Sequence, residues 1–297
     1  MTVVVRVPAT AANLGTGFDA LGLALGLYNT VTLTPLPDGA SDPARVATAD
    51  ESLPVAAYEH VCHAHGIEPL TVHAEVTGDV PSSRGLGSSA TCIVGGVLAA
   101  DALHGLGLGA DELVRLATDV EGHPDNVAPA LLGGMVVSAV SDGRVHSLPV
   151  GLPAGGELDL LLAVPDHPVS TEAARAALPA QVPHADAVHN AARSALLVAS
   201  LTTGRFKLLG EAMDDRLHQP YRAGLVPGVT EILALARSSG AVGACVSGAG
   251  PSLLVVAPGP DTEARLTEHL AGHPWGWQLL RLPLDPTGAR VVGPRPA

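Results

Sequence analysis

The run Pro81-Ser82-Ser83-Arg84-Gly85-Leu86-Gly87-Ser88-Ser89-Ala90-Thr91 constrains this chain more than any other stretch. Before it, Thr71 to Thr77 alternates apolar and polar residues with a period of two, which predicts a strand. After it, Cys92 to Ala100 is a run of small apolar residues too long for one strand, which predicts a buried helix. A strand, a glycine-and-serine loop and a helix together aim unpaired backbone N–H groups at a bound anion. The first turn of a helix has no internal acceptors for those donors, and its dipole adds about half a positive charge there. Gly85 and Gly87 allow close approach of the backbone to a phosphate, and Ser88 and Ser89 add hydroxyls for phosphate oxygens or a metal. The run is not a Walker loop, because that pattern needs a lysine and the chain's one lysine, Lys207, lies far away.

The 297 residues suffice for one or two domains with a full core, and 34 glycines with 25 prolines stay below a low-complexity composition. A formal net charge of −13 offers no basic field for nucleic acid or an anionic membrane. An anionic substrate must therefore be held by local devices: helix N-termini, a metal ion and a few arginines. Cys62, Cys92 and Cys245 are odd in number and widely spaced, which predicts buried free thiols rather than a disulfide framework or a zinc site. No apolar run reaches the length of a membrane span and the N-terminus has no signal-peptide profile, so a soluble cytoplasmic protein is expected.

Along the chain, strands are predicted over residues 2–7 and 29–34, a loop over Pro35 to Pro54, and a helix over 55–65. Between the first two strands runs a polar loop, Pro8 to Gly22, with Asn13 and Asp19 at its ends. Leu113, Leu116, Ala117 and Val120 share one face of an amphipathic helix over 111–120. It runs into Glu121-Gly122-His123-Pro124-Asp125-Asn126, a density of polar groups that marks a functional segment where a helix ends. Residues 149–156 are a Pro/Gly-rich candidate linker. Beyond it, strands are predicted over 158–164, 242–246, 252–257 and 278–282, and helices near 186–200, near 206–217, over 230–238 and from Asp261. Gly240 is a plausible C-terminal cap for the helix over 230–238. The interleaved elements predict an α+β fold with two lobes, residues 1–152 and 153–297.

Four segments, taken in order, resemble the homoserine kinases of the GHMP small-molecule kinase superfamily: Val7-Pro8-Ala9-Thr10 through Asp19, the Pro81–Ala90 loop, Glu121 through Pro129, and Ser247-Gly248-Ala249-Gly250-Pro251. Mevalonate-type members carry a lysine in the first of these, and this chain has none there. The resemblance implies a ribosomal protein S5 domain 2-like N-terminal lobe with a left-handed βαβ unit, a ferredoxin-like C-terminal lobe, and an active site in the cleft between them. It implies ATP and Mg²⁺ as cofactors and L-homoserine as acceptor, and it alone suggests a homodimer. On this reading Pro81 to Thr91 binds the triphosphate, and Ser88 with Glu121 binds Mg²⁺. Asn13 and Asp19 suit the acceptor's ammonium. Thr171, Arg175 and Arg222 sit where the family holds the substrate, the guanidiniums offering paired donors to its carboxylate. His123, Asp125 and Asn126 line the reacting hydroxyl, with Asp125 expected to position rather than deprotonate, since a loose phosphoryl-transfer transition state needs little early proton abstraction. Two alternatives stay open: a GHMP kinase for another small alcohol, and a non-catalytic relative that senses a nucleotide or metabolite.

Overall fold

A computed structural model of the chain describes residues 1–37, 49–153, 158–257 and 259–293, without the side chains of 49–51. Strand β1 (Val3–Ala12) turns back into the 15-residue β2 (Leu21–Pro35), whose far half pairs with β3 (Val72–Gly78) and whose near end pairs with β4 (Met135–Ser141). Both β3 and β4 run antiparallel to β2, so they are parallel to each other and need a crossover. Helices α2 (Ser88–His104), α3 (Ala110–Glu121) and α4 (Pro124–Leu132) supply it, with α1 (Ala49–Ala64) packed alongside α2. Strand β5 (Arg144–Val150) completes one edge of this sheet.

The second lobe is a four-stranded antiparallel sheet ordered β7-β8-β6-β9, from β6 (Leu160–Val164), β7 (Gly243–Val246), β8 (Leu253–Val256) and β9 (Gln278–Leu282). Between β6 and β7 lie α5 (Thr171–Ala176), α6 (His184–Thr203), α7 (Leu209–Ala212), α8 (Gln219–Arg222) and α9 (Val229–Ser238), and α10 (Pro260–Leu270) joins β8 to β9. A ferredoxin-like order results. The last strand, β10 (Arg290–Gly293), leaves this lobe and pairs with β1 on the other edge of the first sheet. Among the described residues no helix is long and apolar enough to cross a membrane.

Several expectations need correction. The first strand does not stop at Val7 but runs to Ala12, which shortens the polar loop to 13–20. The predicted 35–54 loop ends where α1 begins at Ala49, and its residues 38–48 lie outside the described ones. Of the candidate linker, Pro149 and Val150 belong to β5, and 154–157 likewise lie outside the described residues. The run at 206–217 is a single turn plus the short α7, because Asp214 and Asp215 divert the chain. His123-Pro124-Asp125 does not merely end a helix but opens the next, with Pro124 at the first helical position, where its missing N–H costs nothing. Residues 144–150 and 290–293, both edge strands with few inward apolar residues, carry too little period to be found in the sequence.

Among the described residues the layering gives several apolar clusters, two of which meet along β1. Val3, Val5 and Val7 join Tyr58, Ile93, Val97 and Leu116 under the helices. Past a register irregularity between Pro8 and Ala9, Ala9 and Ala11 enter a second core with Leu160, Leu162, Leu254 and Leu282 from the other sheet. The lobes therefore share buried apolar surface and are seated on one another. The C-terminal return is tied by Asp285, 6% exposed, which accepts from Tyr28 Oη (2.6 Å) and from the backbone of Thr287 (2.7 Å) and Gly288 (2.8 Å). Asp285→Ala strands those donors, and about 2 kcal/mol or more should be lost. In a protein of this size that lowers the thermal midpoint by roughly 3 °C. Tyr28→Phe, which removes one bond, should cost less, and an unchanged midpoint for Asp285→Ala would contradict the role.

Candidate active site

The cleft between the lobes is built around Gly85 and Gly87. Both hold positive φ, +71° and +67°, and each is crowded on the side where a Cβ would stand. At Gly85 the neighbours are the carbonyls of Ser247 and Gly250, and at Gly87 the Thr10 hydroxyl and Asn126. The loop is tied on both sides. Thr10 N donates to Leu86 O (3.0 Å) from the first lobe, and Ser247 Oγ donates to Gly85 O (2.7 Å) from the second. Val169 N reaches Ser83 O (3.1 Å), and the Arg84 guanidinium donates to Pro165 O (3.0 Å) and pairs with Asp166 (3.2 Å). The carbonyls thus face protein. Gly87 caps α2 in the left-handed conformation with no side-chain cap bond, and the helix opens into the cleft with Ser88 and Ser89 at its mouth.

Of the sequence-predicted residues, Asn13, Asp19, Ser82 to Gly85, Gly87 to Ser89, Glu121, His123, Asp125, Asn126, Thr171, Arg175 and Arg222 line this one cleft. Pro81, Leu86, Ala90 and Thr91 do not. Leu86 and Ala90 are buried in the apolar layers, and Thr91 Oγ1 donates to Ser88 O (2.7 Å) and accepts from Asn29 (2.9 Å), holding the first turn of α2 from behind. Val169 joins the lining without having been singled out, and Gly248, Ala249 and Gly250 come from the glycine segment that the family resemblance marked without assigning it a role.

Three clusters divide the cleft. At the α2 mouth, Glu121 Oε1 accepts from Ser89 Oγ at 2.8 Å, while Ser88 Oγ faces Ser82 Oγ at 3.3 Å. Ser88 and Glu121, the expected metal ligands, line the same part of the cleft, with Ser89 bonded to the carboxylate. Burial pushes the Glu121 carboxyl up, against the Ser89 hydroxyl and the His123 charge. Among the described residues no cation lies within ion-pair distance of it. An oxygen-rich set around an unpaired, half-buried carboxylate fits a hard divalent cation.

In the middle, His123 Nδ1 lies 2.7 Å from Asp125 Oδ1, and Asn126 Nδ2 donates to the same oxygen at 3.3 Å. Thr10 Oγ1 donates to Asn126 Oδ1 at 2.8 Å, which fixes the amide's orientation. Gly22 lies directly under the Asp125 carbonyl, where no side chain would fit. Ligand-capable atoms of Asp19, His123 and Asp125 fall within 4.8 Å of one another, so the acid assigned to the ammonium and those assigned to the hydroxyl form one group.

At the far wall, Asp19 has φ +53° and its N–H donates to Asn13 Oδ1 (2.9 Å), while Asn13 Nδ2 donates to Gly248 O (2.8 Å). Asp19 and Arg175, assigned to opposite charges of a ligand, bind each other in a forked pair at 2.8 and 3.1 Å. Arg175 is carried by α5, which Ser170 caps by accepting from Ala173 N (3.0 Å). Arg222 is 2% exposed and has no carboxylate within ion-pair distance among the described residues. It donates to Ala174 O (3.1 Å) and Gly248 O (3.3 Å), and Phe18 lies against both guanidiniums, 5.1 Å from Arg222 and 5.8 Å from Arg175. Burial and then the Arg175 charge lower its pKa, against the opposing pull of Asp19, Asp125 and Asp215. Thr10 and Phe18 lie in the first family segment, but neither was assigned a role from sequence.

Comparison with known proteins identifies the family and the fold. The GHMP kinase N-terminal domain model matches residues 52–134 and the GHMP kinase C-terminal model residues 193–273. The homoserine kinase of Gloeobacter violaceus is 45% identical over 300 residues, covering 97% of this chain and 98% of its own. That of Thermus thermophilus is 46% identical over 254 residues, covering 84% and 85%. The crystal structure of homoserine kinase from Cytophaga hutchinsonii superposes with a TM-score of 0.86 at 27% identity, covering 98% and 97%.

Burial alone would lower the His123 pKa, but the hydrogen bond and charge of Asp125, with Glu121, outweigh it and raise the value. A raised imidazole pKa means that the folded state binds the proton more tightly. Its contribution is therefore complete below the ordinary value of about 6.5 and is lost as pH rises through the raised one. His123→Gln should flatten the pH dependence of the thermal midpoint across that window, and an unchanged profile would contradict the assignment.

Proposed function

The chain belongs to the homoserine kinase family of the GHMP kinases, and we propose that it transfers the γ-phosphoryl group of ATP to the side-chain hydroxyl of L-homoserine, giving O-phospho-L-homoserine for threonine biosynthesis. The observation that carries this reading is the opposition of two unlike walls in one cleft. A helix mouth without a cap stands on one side, and an acid with two guanidiniums on the other. The first fits a polyphosphate. The second fits a zwitterion whose ammonium and carboxylate sit on the same carbon, one atom pair apart, as Asp19 and Arg175 are.

Because Asp19 and Arg175 already bind each other, the acceptor exchanges ion pair for ion pair. Its ammonium takes Asp19 and its carboxylate takes Arg175 with Arg222. The pair is about a third exposed on each side, so it is screened by solvent and cheap to open. Holding the α-carbon there aims the hydroxyl at Asn126 and Asp125. The reaction then forms a bond from that oxygen to the γ-phosphorus and breaks the bond to the β–γ bridging oxygen, ADP leaving with the electron pair. Asp125 is engaged by His123 and Asn126 and acts by holding the hydroxyl in line, and the proton passes to phosphate oxygen or solvent after the bond has formed. We assign Mg²⁺ to Glu121 with the Ser88 and Ser89 hydroxyls, where it would neutralise phosphate charge. Backbone N–H groups at the start of α2 supply the remaining neutralisation.

An ADP-release assay with a panel of amino-acid alcohols tests the assignment: homoserine should be used best, and no turnover with any of them would overturn it. Arg175→Ala should raise KM for homoserine by roughly tenfold to a hundredfold, the worth of a charged hydrogen bond. It should do little to KM for ATP. In the same assay Asp125→Asn should retain measurable kcat. A loss beyond about 10⁴-fold with binding intact, the upper range for acid–base catalysis, would instead make Asp125 the base.

A further inference from the structure

His218 is fully buried, stands outside the cleft lining, and is bonded on both ring nitrogens. Its Nε2 lies 2.7 Å from Gly15 O, and its Nδ1 lies 3.3 Å from Arg222 Nη1. A carbonyl only accepts and a guanidinium only donates, so these contacts leave one protonation state: neutral imidazole with the proton on Nε2 and the Nδ1 lone pair turned to Arg222. The ring also stacks on Phe18, centroids 5.1 Å apart at 26°, and Gly15 and Phe18 belong to the same loop as Asp19. One side chain thus touches both the buried guanidinium and the loop that carries the acid.

Resting on the kinase reading above, we propose that His218 is a positioning residue for the amino-acid end of the acceptor: its neutral ring holds Arg222 aimed at the carboxylate and locks the 13–19 loop in place. Among the described residues Arg222 has three protein acceptors. Two of them, Ala174 O and Gly248 O, are backbone carbonyls that stay where they are, so the Nδ1 lone pair is the contact a change of protonation would remove. Protonation would set an N–H against an N–H and one cation against another. Three charged groups face the ring's surroundings. Asp215, whose Oδ2 is 3.6 Å from Nε2, and Asp19 favour the proton, whereas Arg222 opposes it and burial opposes it most. The net direction is downward, so the ring stays neutral where an ordinary histidine would begin to charge. Asp215 itself is occupied by the backbone N–H groups of Leu217, His218 and Gln219 and by Asn190, which fixes the turn that presents His218.

Three variants separate positioning from packing. His218→Asn puts an amide oxygen where Nδ1 stands, His218→Gln puts an amide nitrogen where Nε2 stands, and His218→Phe keeps ring shape with neither contact. In steady-state kinetics His218→Phe and His218→Gln should raise KM for homoserine roughly tenfold or more, the loss of a hydrogen bond to a charged group, with kcat and KM for ATP within about threefold. His218→Asn keeps an acceptor for Arg222 but loses the Gly15 contact and the Phe18 stack, so it should raise KM clearly less than His218→Phe or His218→Gln does, and homoserine affinity by calorimetry should follow the same order. In the parent protein, KM for homoserine should climb on the acid side of the ordinary imidazole pKa of about 6.5, and that limb should vanish in His218→Asn. Equal effects of Asn and Phe, a rise in KM for ATP matching that for homoserine, or a parent profile without the limb would each overturn the proposal. Should His218→Phe fail to fold, the parent and His218→Asn profiles still decide. A protein that ignores homoserine altogether would instead refute the kinase reading, a separate result.

Discussion

Everything in this fold that bears on chemistry depends on how the Gly85–Gly87 turn is held. A helix mouth can offer its N–H groups to a ligand only if the protein does not consume them, and the turn's own carbonyls must find partners elsewhere. Thr10 N and Ser247 Oγ supply those partners from opposite lobes, so the loop is a joint between two sheets rather than a flap on one. The shared core of Ala9, Ala11, Leu160, Leu162 and Leu254 keeps the joint closed. The C-terminal strand β10, returning to β1, ties the same two bodies a second time.

The charge distribution then makes sense of an acidic protein that handles anions. With a net charge of −13 no long-range field draws a phosphate in, so attraction must be built locally. The α2 mouth does this without any formal charge. Arg222 does it with a charge that is buried and, among the described residues, has no carboxylate within ion-pair distance, a costly arrangement unless a ligand completes it. Arg175 is the counterexample, half-exposed and paired with Asp19, hence ready to be exchanged. Opposite them, Glu121 and Asp125 gather negative charge where the proposed reaction calls for a divalent ion and a hydroxyl.

Much of this was readable in the chain beforehand, for reasons that can be named. Glycines at positive φ, a capless helix and a dense polar cluster leave strong local marks, so Gly85, Gly87, Glu121, His123, Asp125 and Asn126 stand out. The arginines needed the family resemblance, since an arginine in a helical run is usually solvated. What escaped was set by tertiary contact. The Pro8–Ala9 irregularity that turns Thr10 toward Asn126 has no local signal. The Ser89–Glu121 hydrogen bond joins residues 32 apart in the chain, a contact that no local spacing encodes. Strands β5 and β10 have a buried neighbour on one side only, so their alternation is faint.

The most direct test of the account is a crystal structure with a non-hydrolysable ATP analogue and homoserine. The account places the terminal phosphates on the backbone N–H groups at the start of α2. It places the amino-acid carboxylate between Arg175 and Arg222, with the Asp19–Arg175 pair opened. Phosphates bound elsewhere, or a homoserine molecule that leaves that pair intact, would contradict it.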